Sequence, residues 1–268
     1  MSIRYDMPST YTHFKFAQAV ADELPDRLRR VTERYKTYYL TGAHGPDILF
    51  YYHPLGKNAV NSVGFGMHTK SAAPFFRKAK ELIPKSCDPE AALAYILGFI
   101  THFVLDSACH GYVAEKIAAS GATHTEIEVE LDRDLLIADG KDPLRTRLTE
   151  HIRTEREYAE VIAPFFSLTA AQVQRALKDM KKFNNILVAP GKLKRAVILC
   201  ILRFSGNYKE MHGLLIGRKA NPVCADSCRI LREKMRNSVP LAVRLIQEYA
   251  DDPSPDHPLD DYFERNYE

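Results

Sequence analysis

Gly98-Phe99-Ile100-Thr101-His102-Phe103-Val104-Leu105-Asp106-Ser107-Ala108-Cys109-His110 carries three ligand-type residues, each four apart, in an otherwise apolar run. At about 100° per residue, His102, Asp106 and His110 drift only about 40° per step and share one helix face. The rise from His102 to His110 is about 12 Å, too far for both to hold one ion. Asp106 lies between them, with an oxygen for either side. Leu93, Ile96, Leu97, Ile100, Phe103 and Val104 make the same helix apolar over most of its surface, which predicts burial. Two imidazoles and a carboxylate lined up in a core need partners. Together they form a donor set that zinc accepts.

A second pair follows at the same interval. His124 and Glu128 open the next helix, with Thr123 as its N-cap and Glu126 at the capping-box position. Glu126 and Glu130 are read as complements to the helix N-terminus. Glu128 is read as a ligand, because His124 puts an imidazole on its face. Upstream stand His13 at the start of the first helix, Asp47 in the turn Gly45-Pro46-Asp47, and His68 after Gly64-Phe65-Gly66-Met67. Taken together, the eight residues are a candidate multinuclear site.

Helical periodicity dominates the rest. Residues 14–28, 91–118, 126–137, 148–166, 170–183, 193–204 and 228–249 read as helices. Alternating β-branched runs are missing, so the expected fold class is all-α. Residues 41–71 have loop composition, and the acidic, proline-bearing tail 251–268 is expected to pack loosely. A boundary near Ala189-Pro190-Gly191 divides a helical domain, 1–190, from a C-terminal helical extension, 191–268. The formal net charge of +3 does not point to nucleic acid. The first residues lack a secretory signal, and the greasiest run, Ala196 to Leu202, is too short to span a bilayer. Five scattered cysteines do not form a disulfide framework. The expected location is cytoplasmic.

The order His13, Gly45-Pro46-Asp47, His68, His102-x3-Asp106-x3-His110, His124-x3-Glu128 resembles the zinc-dependent phospholipase C family, over roughly residues 8 to 135. That family is related to bacterial phosphatidylcholine-hydrolysing phospholipases C and to single-strand nucleases. The resemblance implies a helical bundle with two or three clustered zinc ions. It implies a phosphodiester substrate, with a phospholipid headgroup as one form of it. Asp47, His68, His102 and Asp106 are expected around one ion, and His110, His124 and Glu128 around a second. His13 and Asp106 are expected at a third. Asp47 is the candidate to orient or deprotonate attacking water, and Phe65 matches a substrate-binding aromatic. The other readings are a single-strand nuclease and a metal-binding module without turnover.

The sequence departs from the secreted relatives at three places. It has no Trp, whereas theirs begins with a Trp that completes the third zinc site. A chain starting at Pro8 would offer a terminal amine instead. The interval from Asp106 to His110 is shorter, and Ile48 stands where a Tyr follows the aspartate. His44 and His53 are read as loop histidines, and His151, His212 and His257 as surface groups. Lys178, Lys181, Lys182, Lys192, Lys194 and Arg195 read as a solvated basic face, or as a surface for anionic lipid or nucleic acid.

Overall fold

A computed structural model describes residues 9–54, 56–204, 206, 208, 212–252 and 254–268, so the proposed start at Pro8 lies outside the described residues. The expected all-α class is what the chain adopts, and there is no strand among the described residues. The described residues form eleven α-helices of seven or more residues. They are α1 (Thr10–Glu23), α2 (Asp26–Arg34), α3 (Lys36–Gly42), α4 (Ala59–His68), α5 (Ala73–Leu82) and α6 (Pro89–Ser120). They continue with α7 (His124–Ala138), α8 (Arg156–Phe166), α9 (Ala170–Leu187), α10 (Lys192–Phe204) and α11 (Ala225–Asp251).

The central element is α6, with 32 residues. Asp88 caps its start by accepting from the Ala91 amide at 3.1 Å, and Pro89 occupies the first turn. Gly121, at φ 70°, ends it in the left-handed conformation. Helices α1, α3, α7, α8 and α11 all pack on it. Contrary to the sequence reading, α6 is long and apolar enough to cross a membrane, but 78% of its apolar window is buried inside the protein. It is the core helix of the bundle, and its ligand row faces inward.

Two glycines set how closely α3 and α6 approach. A Cβ on Gly42 would lie 2.0 Å from the Tyr95 carbonyl oxygen, and one on Gly98 would lie 1.9 Å from that of Tyr39. These are backbone atoms, which cannot swing aside. The chain leaving α3 therefore passes directly over α6, and the short 3-10 helix Gly45–Tyr51 delivers Asp47 there.

Several sequence expectations need correcting. Residues 14–28 form two helices, because Pro25 breaks the run after Glu23. Residues 41–71 are largely helical. Gly64 is there for space, since a Cβ would meet the Phe50 ring and the Pro46 carbonyl at 2.9 Å each. Helix α8 begins only at Arg156. The tail is not loose: Phe263 and Tyr267 are each 1% exposed. The Ala72 amide donates to Arg265 O at 2.9 Å, and the Tyr267 amide donates to His68 O at 3.2 Å.

The glycine contact generates a test. Gly98→Ala should destabilise the fold by about 3 kcal/mol, because the added methyl forces the backbones of α3 and α6 apart. Urea denaturation checks it. A midpoint equal to that of the parent would show that α3 and α6 separate without cost.

Candidate metal centre

Five elements bring the ligand-type residues together. His13 comes from the first turn of α1, Asp47 from the 3-10 helix, His68 from the end of α4, His102, Asp106 and His110 from successive turns of α6, and His124 and Glu128 from the start of α7. His102 Nε2 lies 3.1 Å from Asp106 Oδ2, and His13 Nε2 lies 3.3 Å from Asp106 Oδ1. His68 Nε2 is 3.0 Å from Asp47 Oδ1 and 3.6 Å from Asp106 Oδ2. His102 Nδ1 is 3.7 Å from Asp47 Oδ2. One ligand atom from each of His13, Asp47, His102 and Asp106 falls within 4.8 Å of all the others. His110, His124 and Glu128 form a second such group. There His124 Nε2 lies 3.0 Å and His110 Nε2 3.6 Å from Glu128 Oε1. His13, expected at a third ion, stacks on His102 at 4.6 Å inside the first group.

The donors fit a cation. Both carboxylate oxygens of Asp47, both ring nitrogens of His102, His13 Nδ1 and Glu128 Oε2 are buried and make no aligned hydrogen bond within the protein. Several lie at ion-pair distance from one another without hydrogen-bond alignment. Leaving so many polar atoms unsatisfied is costly unless something else binds them. His68 Nδ1 donates to Gly64 O at 3.0 Å and His110 Nδ1 to Tyr267 O at 2.7 Å. Each bond fixes the ring and leaves Nε2 free for a ligand role.

Carboxylates and imidazoles shift one another across the two groups. Burial opposes ionisation of Asp106, but His102, His110 and His13 hold its carboxyl well below the usual range. Burial is likewise overcome at Glu128, whose carboxyl falls to about 2 beside His124 and His110. Burial disfavours a charged His110, but Asp106 and Glu128 raise it to about 10. His68 is raised well above its ordinary value by Asp106 and Asp47, against its burial.

Four residues around the centre have roles that were not foreseen. Asp132, one turn beyond Glu128, accepts from the Thr12 amide and hydroxyl at 2.7 Å each and from the Tyr11 amide at 3.0 Å. It caps α1 from another helix, where Ser9 makes no side-chain cap, and so fixes His13. Tyr267 packs on His68 and His102 from the tail. His151 is not the surface group expected from sequence, nor is His44 an exposed loop residue. Their Nε2 atoms meet at 2.7 Å, and His44 is fully buried. Burial lowers both rings, His151 to about 3, so the pair shares one neutral N–H···N bond. His53 and His257 are exposed, and His212 lies 3.6 Å from Glu126. Phe65 is half-buried and stacked on Phe50 at 4.1 Å, and Phe50 in turn touches His68.

Residues 12–180 match the zinc dependent phospholipase C family. No curated protein and no solved structure matches the chain.

Two measurements follow from this geometry. His110, raised to about 10, carries a proton at neutral pH that a cation must displace. Zinc binding should therefore release protons and tighten as pH rises. Calorimetry in buffers of different ionisation enthalpy reads this directly, and buffer-independent heats would contradict it. Asp132→Ala should strip the cap from α1, cost about 2 kcal/mol and weaken zinc binding through His13. Asp132→Asn keeps an acceptor and should retain most of both. Equal losses in the two variants would mean that charge, not capping, is what Asp132 provides.

Proposed function

The chain belongs to the zinc dependent phospholipase C family, and on that premise we propose that it is a zinc-dependent hydrolase of phosphate diesters, phospholipase C-like in its reaction. The observation that carries this reading is the paired donor groups, with their buried, hydrogen-bond-free carboxylate and imidazole atoms. Asp47, His68, His102, Asp106 and His13 would hold cation at one group, and His110, His124 and Glu128 at the other. Bound zinc supplies a Lewis acid that acidifies water and offsets charge on phosphoryl oxygens.

The protein's own groups do the rest. Asp106 belongs to the first group and also feels His110 of the second, with His13 and His102 at its two oxygens, which suits it to a bridging role. Asp47 has two oxygens without hydrogen-bond partners and is the residue proposed to orient the attacking water and take its proton. Gly45, at φ 49°, lets the turn carrying Asp47 lie against His102, since a Cβ there would sit 2.2 Å from the ring. His13, Asp47, His102 and Asp106 are buried, whereas His68, His110 and His124 keep 12–19% of their side-chain surface exposed. The substrate phosphate therefore approaches over His68, His110 and His124, and Phe65 on Phe50 forms an apolar wall beside that rim.

Protein purified without chelators should contain at least two zinc ions per chain and hydrolyse phosphodiesters. Asp106→Ala should lose more zinc and activity than His44→Ala, because Asp106 lies among the candidate ligands whereas His44 is paired with His151. A panel of phosphomonoesters, short-chain phosphatidylcholine and single-stranded DNA separates lipase-type from nuclease turnover. Less than one ion per chain after zinc is supplied would sink the proposal, as would full metal loading with no turnover of any ester.

A further inference from the structure

Helix α10 lies beyond the residues that match the family, and nothing in the metal centre uses it. Its sequence, Lys192-Leu193-Lys194-Arg195-Ala196-Val197-Ile198-Leu199-Cys200-Ile201-Leu202-Arg203-Phe204, contains four basic residues and no acidic one. Ile198 and Leu202 face the protein, and Arg195 is tied down by donating Nη1 to Ile216 O at 2.8 Å. The opposite face is apolar and turned to solvent. Leu193 is 79% exposed, Val197 49%, Ile201 59% and Phe204 88%.

At about 100° per residue, Leu193, Ala196, Val197, Cys200, Ile201 and Phe204 fill an arc of about 140°, with no polar residue inside it. Lys194 borders this arc on one side, and Lys192 and Arg203 on the other. A solvated helix would carry its charges across the middle of the outer face, not along both edges. An apolar strip flanked by cations matches a bilayer with anionic headgroups, into which the strip sinks while the flanking amines and guanidinium meet phosphates. A second protein would have to supply both an apolar groove and acidic rims. Beyond the helix, the chain returns at His212–Leu214 onto the first turn of α7. A Cβ on Gly213 there would lie 2.5 Å from Thr125 Oγ1, one residue from His124. The His212–Leu214 turn thus packs beside the second donor group.

We propose that α10 is a membrane-docking helix that seats the protein on anionic phospholipid surfaces. The proposal goes beyond the hydrolase reading, and binding is measured without turnover. Full-length protein is floated with vesicles of phosphatidylcholine alone and of phosphatidylcholine mixed with phosphatidylserine. It should float with the mixed vesicles, less with the neutral ones, and less again as salt is raised. Leu193→Ser with Phe204→Ser should weaken binding about tenfold or more, and Lys192→Glu with Arg203→Glu by about tenfold. Both double variants should keep parental helicity by circular dichroism and parental turnover of a water-soluble phosphodiester. Flotation that ignores both variants would overturn the proposal, as would no flotation at all. A solution dimer split by Leu193→Ser/Phe204→Ser, with no vesicle binding, would overturn it in favour of a second copy as the occupant. Failure of the parent to hydrolyse the soluble ester would count against the hydrolase reading and leave the vesicle result standing.

Discussion

Asp106 sets the terms for the whole structure. An ionised carboxylate deep in a helical core costs several kcal/mol unless its surroundings compensate it. Here the compensation comes from imidazoles on three helices: His13 on α1, His68 on α4, and His102 and His110 on α6. Those imidazoles in turn lean on Asp47 and Glu128. The result is a chain of alternating charge through the middle of the bundle. Without a cation, the raised imidazoles of His13, His68 and His110 stabilise the carboxylates. With one, the same lone pairs are free to coordinate. The site is organised to exchange one kind of positive charge for another, so its apo and loaded forms need not differ much in backbone.

That exchange requires the ring-bearing elements to hold their positions whichever charge is present. Gly42 and Gly98 lock α3 onto α6 at backbone distance, and Gly45 brings the next turn against the His102 ring. Asp132 anchors the start of α1 from α7. These are contacts between rigid elements, which keep ligand geometry better than loops do. The same tightness buries His13, Asp47, His102 and Asp106 and leaves His68, His110 and His124 partly exposed, which gives the centre a closed side and an open one.

The ligand rows on α6 and α7 were legible because a helix repeats its face nearly every four residues, and both rows sit on long, well-capped helices. Thr123 and Glu126 form the capping box that the sequence indicated. Asp132 continues the row His124, Glu128 by one more step, so the signal for it existed; it belongs to the same face but caps another helix. No periodicity connects His44 with His151, which are 107 positions apart and joined only by the fold. Composition misled in residues 41–71, where glycine signals close packing and not looseness. It misled again in the tail, where acidic residues masked Tyr262, Phe263 and Tyr267, whose rings fill the space beside Phe103.

Tyr267 gives the tail a meaning in time as well as in space. Its carbonyl fixes the His110 ring, and its amide holds the carbonyl of His68, so two ligand-type residues from distant helices wait on a residue 157 positions after the later of them. During synthesis, which releases the N-terminal segments first, the helical frame can form while His110 still lacks this partner. Full orientation of the second donor group then comes after the helical frame. Tyr267 thus orders the two ends of the centre in time: the His68 carbonyl and the His110 ring gain their last backbone partners only once this distant residue has folded back.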